Sequence, residues 1–334
     1  MHKSYRAQLI VALLILLFSS FPGTILAQVT PADSSTADIE ITDPFRHIVF
    51  LVPSNDWDVR VEDLMGTSLS RTDEATLSSI RVVDSYLEGN TSLEDVWQGK
   101  LSYLKKNKPG YVYYKERDDL MIDNTKAIGI TYKDPADQSI VRLIFFKTQN
   151  KYRELTFDIG SEAIFQKIKP QLAFILKNIR IPSSPISNLA ISDPYLGITM
   201  SVPGNKEWGF ETASPYKRFY YIPAGQYSTR GKINLFHSIY SVNSAQSANE
   251  EWNALVLKNL PGVEFLIKGQ SFAHKGIEMY SSTFKNPVAK TVVRGLNFIH
   301  RNSSLMIEFI IEEDFFDQVK SDFSTIMKNI VIVP

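Results

Sequence analysis

Phe165-Gln166-Lys167-Ile168-Lys169, running on to Ile175-Leu176-Lys177-Asn178-Ile179, is written twice in this chain. About 151 residues later, Phe316-Asp317-Gln318-Val319-Lys320 runs on to Ile326-Met327-Lys328-Asn329-Ile330. In both copies the apolar positions fall on one stripe at helical spacing: Ile164, Phe165, Ile168, Leu172 and Ile175, then Phe315, Phe316, Val319, Phe323 and Ile326. Working back from these closing helices, the openings match as well. Asp43-Pro44-Phe45, Val52-Pro53 and Trp57 recur as Asp193-Pro194-Tyr195, Val202-Pro203 and Trp208. Anchors in the same order at a nearly constant offset point to one folding unit used twice.

Between opening and close, each unit reads the same way. A strand ends at Val-Pro, because proline has no N–H to give a ladder. Trp57, followed by Val59 and Val61 at alternate positions, starts another strand, and residues 80–86 match residues 233–240. A helix follows. Thr91-Ser92 ahead of Glu94-Asp95 supplies a capping hydroxyl and early acids. Trp97, Leu101 and Leu104 form its apolar face, and Pro109-Gly110 stops it. In the second unit Ser247, Glu250-Glu251, Trp252, Leu255, Val256 and Leu260 precede Pro261-Gly262. Strands separated by short polar turns such as Arg301-Asn302 then lead to the closing helix, so the pairing is expected to be antiparallel.

The fold class expected is α+β: two tandem α/β/α-type domains, 41–182 and 193–334, each a central antiparallel sheet flanked by helices, joined by a Pro/Ser linker at 183–192. Ahead of them, His2, Lys3 and Arg6 precede an apolar run at 9–18 (LIVALLILLF), then Pro22-Gly23 and Ile25-Leu26-Ala27. This is the layout of a cleavable secretory signal over residues 1–27, and 28–40 reads as a disordered spacer. The run is short of the ~20 apolar residues a membrane-spanning helix needs. The mature chain is therefore expected to carry no transmembrane segment and to be exported to the periplasm or the medium.

Val52-Pro53 with Trp57, Val202-Pro203 with Trp208, and the closing helices at 165–179 and 316–330 together resemble the PsbP/Mog1/DcrB family. The resemblance covers almost all of both units. It implies a central antiparallel sheet flanked by helices. It also implies an accessory role without catalysis, since most members of that family act so in photosystem assembly, small-GTPase regulation or the bacterial envelope. No functional residue of the family carries over to this chain.

Composition narrows the function further. Lys+Arg and Asp+Glu both number 36, and no basic stripe exists, which argues against nucleic-acid binding. The chain has no cysteine, so disulfides, thiolate metal sites and cysteine nucleophiles are excluded. Phosphate-binding loops, His-Glu-x-x-His and Gly-x-Ser-x-Gly are all missing from the sequence. His237, His274 and His300 crowd into the second unit and are the only candidates for a zinc or copper site; no cofactor is expected. Tyr113-Tyr114 and Tyr220-Tyr221 are consecutive aromatics on strands. Neighbours on a strand point to opposite faces, so one ring of each pair faces away from the core, either at an interaction surface or beneath a covering element. The leading reading is an exported, non-enzymatic protein that binds another envelope or extracellular protein, or else a small apolar ligand. A hydrolase with an unrecognised site and a metal carrier are the alternatives.

Overall fold

Asp43 makes the first turn. It ends β1 (Ile39–Asp43), and its Oδ1 accepts the N–H groups of Phe45 at 2.9 Å and Arg46 at 3.2 Å, which swings the chain into β2 (Ile48–Val52). Asp193 does the same between β10 (Asn188–Asp193) and β11 (Ile198–Pro203), accepting from Tyr195 and Leu196. Each turn closes on a left-handed residue, His47 (φ 57°) and Gly197 (φ 62°). The computed structural model describes residues 38–53, 57–63, 66–71, 78–85, 91–205, 207–213, 216–238 and 243–332. The expected leader, and the spacer as far as residue 37, lie outside them. β1 reaches back to Ile39, inside the expected spacer, because Ile39 pairs with Val52 of β2; β10 reaches back to Asn188, inside the expected linker, because Asn188 pairs with Pro203 of β11.

Those four strands and the short β19 (Val331–Ile332) form a sheet in the order β19-β11-β10-β1-β2. The remaining strands form a second sheet of 14, antiparallel throughout. Its first half contains β3 (Trp57–Glu62), β4 (Gly66–Arg71), β5 (Ser78–Asp84), β6 (Val112–Ile122), β7 (Thr125–Lys133), β8 (Ile140–Thr148) and β9 (Lys151–Ile159). Its second half contains β12 (Trp208–Ala213), β13 (Tyr216–Tyr221), β14 (Gly231–His237), β15 (Glu264–His274), β16 (Ile277–Asn286), β17 (Thr291–His300) and β18 (Ser303–Glu312). From one edge inward the order is β6-β7-β8-β9-β5-β4-β3; from the other it is β15-β16-β17-β18-β14-β13-β12. The halves meet at β3 and β12, with Arg60 opposite Glu211, and the small sheet crosses between them with Ile41 opposite Ile191. Both couples are positions that the sequence offset makes equivalent. Each half thus presents the same strand to the other, the geometry of an isologous contact. The described residues form one compact unit.

Four helices cover the large sheet. α1 (Leu93–Asn107) lies on β7 and β8, and α3 (Ala245–Asn259) on β15, β16 and β17. α2 (Glu162–Lys177) meets β2 and β9; α4 (Phe316–Asn329) meets β11 and β18. Alternate residues of one strand serve different cores. On β7, Ala127 belongs to the core shared with α2, α4 and the small sheet, while Ile128, Ile130 and Tyr132 belong to the core under α1. The shared core runs through both halves and contains Trp57 and Trp208.

Caps fall largely where the sequence puts them. Ser92 Oγ accepts from Asp95 N at 3.1 Å, and Ser161 Oγ from Ile164 N at 3.3 Å. α3 starts earlier than Ser247, since Ser244 is the cap and Ser247 N is the donor, at 3.0 Å. The helical tryptophans recur in sequence yet sit differently. Trp252 lies over Gly295, where an added Cβ would come within 2.5 Å of the indole. Trp97 instead donates to Glu116 O at 2.9 Å with the Arg117 guanidinium 4.8 Å from its ring.

Candidate functional site

The histidines of the second half do not assemble a ligand set. His300 is packed against Gly197, whose missing side chain leaves the space its ring fills. His274 Nε2 donates to Ile330 O at 2.9 Å, which ties the end of β15 to the end of α4. His237 stands exposed at the end of β14. Among the described residues, no group of three or more His, Asp or Glu side chains is placed to hold a metal ion.

The two aromatic pairs have different fates. Tyr220 and Tyr221 point to opposite faces, but both are buried, at 4% and 3% exposure. Tyr221 packs on Trp208 at 5.3 Å between centroids. Tyr220 lies over Gly209, whose absent Cβ makes the room, with the Arg60 guanidinium 5.9 Å from its ring. The covering comes from the first half, because Arg60 belongs to β3 across the joint. Tyr114 is 53% exposed on the edge strand β6. Tyr113 is half-buried, 6.0 Å from the ring of Tyr132, which stacks in turn on Tyr111 at 4.9 Å.

That tyrosine stack forms one end of an open groove of about 330 Å³ along the flank of α1. The helix contributes Lys100 and Leu104, and the sheet contributes Tyr132, Glu154 and Asp158. Lys100 Nζ is paired with Glu154 at 3.0 Å. Asp134 accepts the Tyr111 hydroxyl and the N–H of Ala136; Asp137 accepts the N–H of Ser139 at 2.9 Å. Asp158 opens to solvent at the groove. Partial burial there, with Asp137 and Asp134 alongside, holds its carboxyl above the ordinary range. Burial, with negative neighbours, also raises the Tyr132 hydroxyl. The groove offers carboxylates, a hydroxyl and aromatic faces.

Register isolates what is special about this place. One rung of the first half crosses Tyr132, Val141, Asp158 and Ser79; the matching rung of the second half crosses Phe284, Val293, Ile310 and Lys232. Phe284 and Val293, with Ile310 and Phe265 against them, are part of the apolar cluster beneath α3. The second half therefore closes with hydrocarbon where the first leaves a polar groove. Tyr132 and Asp158 carry no motif, and aromatic doublets draw the eye to Tyr113 instead. The readable signal was a comparison of the two copies position by position, polar against apolar.

A second polar set lies on the second half's strands. Arg218 bridges Glu211 and Asn234, both at 3.0 Å, and Asn234 Nδ2 donates to Glu308 at 2.9 Å. Burial raises the Glu308 carboxyl and lowers the Lys232 ammonium.

No protein-family model and no curated protein matches the chain. Among solved structures it is similar to cyanobacterial PsbP (CyanoP) from Synechocystis, at 12% identity and a TM-score of 0.34, over 44% of this chain and 94% of that one. It is also similar to a protein of unknown function from Pseudomonas aeruginosa, at 14% identity and a TM-score of 0.27, over 39% of this chain and 88% of that one. Among the described residues no helix is long and apolar enough to cross a membrane.

Proposed function

We propose that this chain is an exported, non-enzymatic accessory protein, made of two tandem PsbP-like α/β/α units joined about a pseudo-two-fold axis, and that it binds a partner protein of the envelope or exterior through the groove beside α1. One observation carries the reading: the halves share a strand order but differ at the groove, where Tyr132 and Asp158 of the first half match Phe284 and Ile310 of the second. A scaffold kept in both copies with a polar opening in one fits binding at that opening. The groove has tyrosines and carboxylates but no histidine or lysine placed as the base of a serine or threonine nucleophile, which favours recognition over hydrolysis. The signal-like leader supports export.

Affinity capture from the native envelope fraction tests this, followed by hydrogen-exchange footprinting of the captured complex. The expected result is a stoichiometric partner whose binding protects α1 and the β7–β9 strands. Recovery of no partner across several solubilisation conditions, or protection confined to the second half, would overturn it.

A further inference from the structure

Four carboxylates line the groove against two ammonium groups, those of Lys100 and Lys108. Three of the four are already engaged by the chain itself. Glu154 is held by Lys100, Asp134 by Tyr111 and Ala136, and Asp137 by Ser139. Asp158 has no donor among the described residues; partial burial, and after it the acidic neighbours Asp137 and Asp134, raise its carboxyl. Tyr132 is a second, independent sign. Only 7% of it is exposed, yet its hydroxyl lines the groove and bonds to nothing among the described residues. The rest of the side chain is buried, so the hydroxyl is fixed in place and open to whatever enters the groove.

Building on the groove as the binding site, we infer that it receives an alkylammonium group, with the N–H donors reaching Asp158 and the Tyr132 oxygen and the methylene stem lying along Leu104 and the stacked Tyr111–Tyr132 rings. A cation relieves the acidic repulsion that a neutral polyol leaves in place, and an anion would deepen it. A long apolar stem with a charged tip suits a groove that is aromatic along its wall and acidic at its head. The second half, with Ile310 and Phe284 on the same rung, has neither acceptor.

The chemistry is shared by a lysine side chain on a partner protein and by a free polyamine, and a titration separates them. The full chain, with 13C-labelled tyrosine rings, is titrated with an acetylated, amidated Gly-Lys-Gly peptide, with the same peptide carrying acetyl-lysine, and with spermidine. The expected result is a saturable shift of the Tyr132 ring signals by the lysine peptide, absent with acetyl-lysine. Asp158→Asn should weaken it about tenfold, as loss of a charged hydrogen bond would. Tyr132→Phe, followed through the ring signals of Tyr111 in the same groove, should weaken it by a smaller factor at unchanged thermal stability. Tighter binding of spermidine than of the peptide assigns the group to a free polyamine; the reverse assigns it to a partner's lysine. Binding that ignores lysine acetylation or Asp158→Asn, or no saturable shift from either cation, overturns the inference. A protein partner captured through the groove without alkylammonium binding would defeat this inference alone. Lysine binding without a captured partner would defeat only the proposed function.

Discussion

Gly295 is small because Trp252 occupies the space above it. An added Cβ would lie 2.5 Å from the indole and 2.8 Å from Met306 Cε. Gly295→Ala is therefore expected to cost about 1–3 kcal/mol in urea unfolding, the range for overpacking a core. Glu308 is tied to pH. Burial holds its carboxyl above the ordinary range, against the hydrogen bond from Asn234 and the pull of Lys232 and Arg218. A carboxyl raised in the fold binds its proton more readily there than in the unfolded chain. Its contribution is full below the unfolded value and is lost as pH rises through the folded one. Glu308→Gln keeps an acceptor for Asn234 without the buried charge. It should melt above the parent at about pH 7 and lose that advantage at about pH 4, where the parent's carboxyl is protonated as well. At this scale the sequence was legible for Trp57 and Trp208, whose place before alternating valine or aromatic positions marks a core strand. It was not legible for Tyr220, because what buries that ring is Arg60 from the other half, and covering across a joint leaves no local pattern.

The closing helix of the first half carries Pro170 on its exposed side in mid-run, whereas the offset places Ser321 at the matching position of α4. A proline there leaves the carbonyl four residues back without its donor and crowds it. Pro170→Ala should raise stability by about 1–2 kcal/mol, the helical gain exceeding the entropy returned to the unfolded chain; an unchanged or lower midpoint in urea would argue against it. Elements were the most readable level. Helical stripes, Pro-Gly stops and polar hairpin turns all lie where periodicity and turn chemistry put them. Gln149-Asn150 and Arg301-Asn302 both adopt the paired positive φ that tight hairpins require. The bulges that break the register of the edge strands β6 and β15 were not readable. They answer to sheet edges, and nothing in a single strand's alternation says that it lies at one.

Over the whole molecule, the two halves share one core. The hydrophobic cluster running through both halves and the two cross-pairings at β1–β10 and β3–β12 leave neither half a complete surface of its own. Unfolding should follow as a single cooperative transition, with tryptophan fluorescence and far-UV circular dichroism coincident; two resolved transitions would mean the halves are independent bodies. The shared order of anchors in the two halves is visible in the sequence, but the joint between them is not, because Ile41, Ile191, Arg60 and Glu211 look like ordinary strand residues until they are seen opposite one another. The central claim is that binding resides where the copies differ. The direct test gives the first half the second half's rung, Tyr132→Phe together with Asp158→Ile, and repeats the envelope capture beside the parent chain. The variant is expected to fold with parent-like circular dichroism and no longer to recover the partner; a folded variant that recovers it as well as the parent would rule out binding at this rung.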